Sequence, residues 1–181
     1  MRGCRPLTEA EFDAVLGAFS GPLRARDFAL FYIQAGTGFR IKELLSLRIR
    51  DVVQHRKIVD RLHVERRNMK GEAKRKQSRN VVLREDVREV LAGLVRWHYA
   101  RGRMRGDNFL FCPLNGGTRP ISRQRAWQVY RRVFTALRLV VRLGTHTARK
   151  TFVARVYSWA KEEHRAGRLG DYLRAVRDAI G

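Results

Sequence analysis

Three short segments carry residues whose types and spacing suit work on a phosphate. In GTGFRIKELLSL, residues 36–47, a glycine-flanked turn delivers Arg40 to the start of a short helix that Leu44, Leu45 and Leu47 can anchor in a core. Glu43 follows three residues later and can brace the guanidinium. An arginine held in this way at the mouth of a cleft could grip an anion; an exposed arginine on an ordinary amphipathic helix fits the segment equally well. In RRNMKGEAKRKQSRNVVL, residues 66–83, a hairpin concentrates Lys70, Lys74, Arg75, Lys76 and Arg79 at its turn, with Arg66 and Arg67 leading into it. Such a basic finger can reach phosphates or deliver one lysine to a reacting oxygen. In THTARKTF, residues 145–152, His146 and Arg149 stand three apart, so on a helix they share a face and can point at one anion.

These residues need rigid elements behind them. Thr8 reads as an N-cap and Glu11 as the partner that closes a capping box, with Leu7 placed to staple onto Phe12, so a first helix should run to about Phe19. Gly21-Pro22 breaks it. Ala25 to Ala35 is apolar on nearly all sides, as a core helix should be, and Gly36-Thr37-Gly38 ends it before a short helix from Ile41 to Leu47. Between Asp51 and Leu83 the periodicity becomes alternating, with strand-like pieces at Lys57 to Arg66 and Arg79 to Leu83 on either side of the basic turn. Helical spacing returns from Arg84 to Arg101. A short buried segment, Phe109-Leu110-Phe111, precedes a turn at Asn115-Gly116-Gly117. Ser122 should cap a helix from Arg123 to Leu139 whose exposed start offers Arg123, Gln124 and Arg125 to a partner. Further helices are expected from about Thr145 through Trp159 and from Asp171 to Ile180. The expected fold is mainly α with one small antiparallel β-sheet, an α+β domain spanning residues 1–181 without an internal repeat or linker.

Charge narrows the partners. Lys and Arg number 39 against 17 Asp and Glu in 181 residues, a formal charge of +22. A surface so cationic repels itself unless a polyanion screens it, and an excess of Arg favours bidentate phosphate contacts. A polyanion such as nucleic acid or an anionic membrane surface is the expected partner, and no membrane span is expected, since no apolar run approaches the ~20 residues a bilayer requires. The N-terminus has no signal-peptide core, so a cytoplasmic, nucleoid- or DNA-associated protein is expected. Cys4 and Cys112 lie far apart with no neighbouring ligand set, which predicts reduced thiols, no metal site and no cofactor. Few carboxylates are spaced to pair around Mg²⁺, and no phosphate-binding glycine loop of the G-x-x-x-x-G-K type is present. An RNA-binding protein would rest on charge alone, without an aromatic platform.

Taken in this order, the segments resemble the catalytic domain of the tyrosine recombinases, the phage-type integrase family. Residues 36–47 are similar to its first arginine box, Lys70-Gly71 to its β-hairpin lysine, and His146-x-x-Arg149 to the start of its second box. The resemblance implies a DNA breaking-rejoining fold and site-specific recombination for phages or other mobile genetic elements, through a 3′-phosphotyrosyl intermediate. It implies that Arg40 and Arg149 clamp the phosphate, that His146 assists, and that Lys70 protonates the leaving 5′ oxygen, with Lys74 and Lys76 as alternatives. Glu43 supports Arg40, while Arg66, Arg67, Lys74, Arg75, Lys76, Arg79, Arg123, Gln124 and Arg125 would contact DNA. Family members act as tetramers on DNA; this chain by itself is expected to be monomeric. Ala179-Ile180-Gly181 is similar to the entrance of the turn that precedes the family's nucleophilic tyrosine, so the nucleophile is expected beyond Gly181. The chain therefore reads as a truncated or degenerate form that also lacks the N-terminal core-binding domain. Of the tyrosines present, Tyr157 is expected to pack in the core, and Tyr172 is a weak substitute. The alternative is a DNA-binding protein without chemistry.

Overall fold

The computed structural model describes residues 4–64, 79–139 and 143–180. Helix α1, Glu9–Gly17, starts as its sequence dictates: Thr8 Oγ1 accepts from the Glu11 N–H at 3.2 Å while Glu11 Oε2 accepts from the Thr8 N–H at 2.9 Å. Helix α2, Arg24–Thr37, is the central element, with Ala29, Leu30, Phe31 and Ile33 buried. Phe31 is the hub of an aromatic cluster, its ring 5.8 Å from Phe12 and Phe19 and 5.3 Å, edge-on, from Tyr130. Two charges lie inside this helix's packing face. Arg26 and Asp27 are both buried and pair at 2.6 Å, and Arg26 also donates to the Cys112 carbonyl at 2.9 Å. Their hydrogen bonds offset the cost of burying them.

Gly38 ends α2 in the left-handed conformation at φ 65°. Short helices α3, Ile41–Leu45, and α4, Ile49–Val52, follow. The alternating region forms two separate two-stranded ladders rather than one sheet. Strands β1, Val53–Gln54, and β2, Lys57–Ile58, close a tight hairpin in which His55 and Arg56 both take positive φ, 49° and 62°. Strands β3, Arg61–Val64, and β4, Arg79–Val82, pair antiparallel in the register Arg61 to Val82 and Val64 to Arg79. The expected strand from Lys57 to Arg66 is thus interrupted at Val59 and Asp60, where the Asp60 carbonyl turns to accept from the Leu83 N–H at 2.8 Å. Along β3, Leu62 and Val64 face the core while Arg61 and His63 face solvent, which gives this ladder one wet face.

Helix α5, Glu85–Tyr99, packs on α2. The Phe109 to Phe111 segment pairs with the stretch between α3 and α4: Phe109 bridges Arg48, the Ile49 N–H donates to the Asn108 carbonyl, and the Leu110 N–H donates to the Leu47 carbonyl. Helix α6, Arg123–Ala136, begins at Ser122, whose Oγ accepts from the Arg125 N–H at 3.0 Å. It stops short of Leu139 because Arg138 adopts φ 57°, letting the Leu139 N–H return to the Phe134 carbonyl. Helix α7, Thr147–Arg165, lies against α2 and runs a turn and a half past Trp159 until Gly167 closes it at φ 71°. Helix α8, Tyr172–Ile180, folds back onto α7. Tyr157 does not enter the core: it is 40% exposed and meets Tyr172 edge-on at 5.9 Å between those two helices. The body is therefore mainly helical with small antiparallel ladders on one side.

Candidate active site

Arg40 sits at the cap position of α3, after a turn fastened from several sides. Phe39 is fully buried and fixes the turn in the core. The Arg40 N–H donates to Glu43 Oε2 at 2.7 Å, and one arm of its guanidinium, Nη1, donates to Glu43 Oε1 at 3.0 Å. Glu43 is buried and Arg40 is one-third exposed, so the carboxylate acts as an internal brace and part of the guanidinium remains open to a ligand.

The second arginine arrives from the far end of the chain. The Gly144 N–H donates to Thr147 Oγ1 at 3.0 Å, and Thr151 Oγ1 both donates to the Thr147 carbonyl and accepts from the Leu7 N–H at 3.0 Å. The first turns of α7 are thereby tied to each other and to the segment ahead of α1. Gly38 lies against the Phe152 ring, where an added Cβ would come within 2.3 Å of Cδ1, so α2 and α7 approach closely just before Arg40. At this contact Arg149 is half-buried, and its Nη1 donates to the Gly38 carbonyl. Burial pushes the Arg149 guanidinium below its ordinary pKa range; the Arg40 cation pushes it the same way and the Glu43 carboxylate opposes both. The two arginines and the glutamate share one electrostatic site although 111 residues separate Gly38 from Arg149. Two cations held this close repel, and an anion between them would relieve that repulsion.

His146 is exposed at the cap position of α7, one turn before Arg149. Lys70 lies outside the described residues, as do Arg66, Arg67, Lys74, Arg75 and Lys76. Arg79 forms the first residue of β4, paired with Val64. Arg123, Gln124 and Arg125 are exposed on the first turn of α6. Arg123 and Lys42 line one shallow pocket with Ser46 and Phe109, and those last two residues also line a groove of about 390 Å³ edged by Arg48, Arg50, Arg61 and His63. The two pockets thus adjoin through Ser46 and Phe109, from the start of α6 to β3.

Arg48, Arg61 and His63 are missing from the sequence expectation. Arg48 stacks over the Phe109 ring at 4.2 Å, and alternation along β3 turns Arg61 and His63 to the wet face. The alternation was the signal that could have found the last two. Among the described residues, no group of three or more His, Cys, Asp or Glu could hold a metal ion, and no helix is long and apolar enough to cross a membrane.

Comparison with known proteins gives this geometry a context. The model of the phage integrase family matches residues 5–159. The probable integrase/recombinase YoeC of Bacillus subtilis (strain 168) is 29% identical over 137 residues, which cover 76% of this chain and 66% of YoeC. Among solved structures, the Tn1549 transposon integrase in complex with circular intermediate DNA superposes with a TM-score of 0.68 at 18% identity, covering 100% of this chain and 58% of that one. The XerA recombinase gives 0.67 at 21% identity over 100% of this chain and 57% of XerA. The XerH site-specific recombinase bound to a palindromic difH substrate gives 0.68 at 22% identity over 99% and 47%. The chain spans about two thirds of the curated relative and about half of these structures. At these identities the structures establish the fold, that of the tyrosine recombinase catalytic domain.

Proposed function

This chain belongs to the phage integrase family, and we propose that it is a single catalytic domain that grips one phosphodiester of double-stranded DNA for site-specific recombination. The observation that carries this reading is the meeting of Arg40 and Arg149 around Glu43 and the Gly38 carbonyl. In transfer of a phosphoryl group to a tyrosine hydroxyl, the five-coordinate phosphorus places negative charge on its non-bridging oxygens. Two forks already partly buried and braced stabilise that charge with little reorganisation. His146 adds a hydrogen-bond donor or proton carrier at the same helix start. Lys70, or Lys74 or Lys76 in its place, protonates the leaving 5′ oxygen as the tyrosine bonds to phosphorus. The surface from Arg123, Gln124 and Arg125 through Arg48 and Arg61 holds the flanking backbone, together with Arg66, Arg67, Arg75 and Arg79. Recombination joins two duplexes, so the working form is a homo-oligomer on DNA.

The test is a labelled duplex carrying a nick that traps the covalent product, resolved on a denaturing gel beside a native binding assay, with this chain and with a form of the protein that carries the nucleophilic tyrosine. Binding weakened by Arg40→Ala and Arg149→Ala, with a covalent band mapped to its tyrosine, supports recombination. Binding without a band in the tyrosine-bearing form favours the second reading, a DNA-binding protein without chemistry. Binding indifferent to both arginines sinks the clamp.

A further inference from the structure

The turn that delivers Arg40 is held by side chains that play no direct part in gripping an anion. Two of these restraints act on a single peptide plane, the one joining Phe39 to Arg40. Its N–H donates to Glu43 Oε2 at 2.7 Å, and its carbonyl accepts from Gln34 Nε2 at 3.1 Å. Both side chains are buried. A peptide plane fastened at its N–H and its C=O cannot rotate, and that rotation is the motion that would swing the Cα–Cβ bond of Arg40.

Gln34 is itself oriented. Its Oε1 accepts from the Tyr130 hydroxyl at 2.9 Å, and the same hydroxyl lies 3.2 Å from the Leu30 carbonyl. With the amide reversed, Gln34 Oε1 would face the Phe39 carbonyl, two acceptors with no proton between them. Tyr130 is fully buried and wedged edge-on against Phe31 at 5.3 Å.

We propose that Gln34 is a positioning residue for Arg40, set by the Tyr130 hydroxyl and acting through the Phe39 carbonyl. The proposal rests on the reading of Arg40 as a phosphate-gripping group. A buried amide that only stabilised the core would weaken DNA binding through loss of folded protein, independently of Arg40. A positioning amide acts through Arg40 alone.

That difference is measurable with Gln34→Met, which keeps the volume and removes the donor, and with the less disruptive Tyr130→Phe. Affinity for a short duplex is compared for folded protein in the native and Arg40→Ala backgrounds. Gln34→Met should weaken binding about two- to tenfold, the range one lost hydrogen bond carries, and should add nothing once Arg40 is alanine. Tyr130→Phe should act in the same direction and less strongly. A loss that persists in the Arg40→Ala background, or no loss in folded Gln34→Met and Tyr130→Phe, overturns the proposal. The Arg40 Nε–H resonance is a readout that needs no DNA: it should be sharp in the native chain and broadened or shifted in Gln34→Met and Tyr130→Phe. An unchanged resonance overturns positioning by Gln34, whereas DNA binding unaffected by Arg40→Ala overturns the phosphate reading and leaves the resonance to decide the positioning.

Discussion

The Arg149 guanidinium donates to the carbonyl of Gly38, two residues ahead of Arg40. One bond thus joins the helix that bears the second arginine to the turn that bears the first, and each arginine's placement depends on the other's segment.

A fork that binds Gly38 and, as proposed, also grips a phosphate should not be replaceable by a point charge. In a strand-cleavage assay of a form that carries the nucleophilic tyrosine, Arg149→Ala should lower the rate about 10²- to 10³-fold, as loss of an oxyanion donor does elsewhere. Arg149→Lys should recover less than a tenth of the lost rate, since an ammonium cannot reproduce the two-armed contact. Full recovery by lysine would remove the guanidinium geometry from the mechanism.

Binding should be strongly salt dependent. The logarithm of the association constant should fall linearly with the logarithm of salt, with a slope near 0.9 per phosphate neutralised. Arg123→Ala and Arg125→Ala should each reduce that slope by about one and weaken binding to all sequences alike. A titration of duplex DNA at three or more salt concentrations measures it; an unchanged slope would place the first turn of α6 off the DNA.

Gly38→Ala should destabilise the fold. At φ 65° a side chain is strained, and the new Cβ would stand 2.3 Å from the Phe152 ring. Left-handed strain of about 1–2 kcal/mol and overpacking of about 1–3 kcal/mol should together lower the urea midpoint markedly. Gly17→Ala is the control, because nothing stands within 4 Å of a Cβ there.

Stability should fall in mild acid through His98. Its ring is fully buried, Nε2 donates to the Leu110 carbonyl at 2.9 Å, and Nδ1 has no hydrogen-bond partner. Burial holds the imidazole below its ordinary value of 6.5; the Leu110 carbonyl opposes this and the Arg103 and Arg101 cations add to it. Between the folded and unfolded values the unfolded chain binds the extra proton, so stability is complete above 6.5 and declines as the pH drops beneath it. His98→Gln should flatten the urea midpoint between pH 7.5 and about 5; an equally steep decline in the variant would assign the acid sensitivity elsewhere.

How much of this was legible from residue types depended on whether local chemistry or distant packing decided the matter. The α1 and α6 starts were readable because Thr8, Glu11 and Ser122 carry their own capping atoms. The β1–β2 hairpin was not, since His55 and Arg56 occupy left-handed positions that usually advertise themselves as Asn or Gly. Arg40 and Glu43 could be paired by spacing, whereas the Gln34 bond to the Phe39 carbonyl could not: one amide in an apolar helix does not say which way it faces. Tyr157 was misjudged because periodicity does not show which face of a long helix its neighbours cover.

The hydrogen bond from the Leu7 N–H to Thr151 Oγ1 joins residues 144 positions apart. At roughly 5 to 20 residues per second, a ribosome needs on the order of 7 to 29 s to translate that interval. For the later part of it the nascent chain already carries Arg40 while the codon for Arg149 is still unread. The proposed arginine pair is consequently complete in the newborn polypeptide only when α7 emerges and docks.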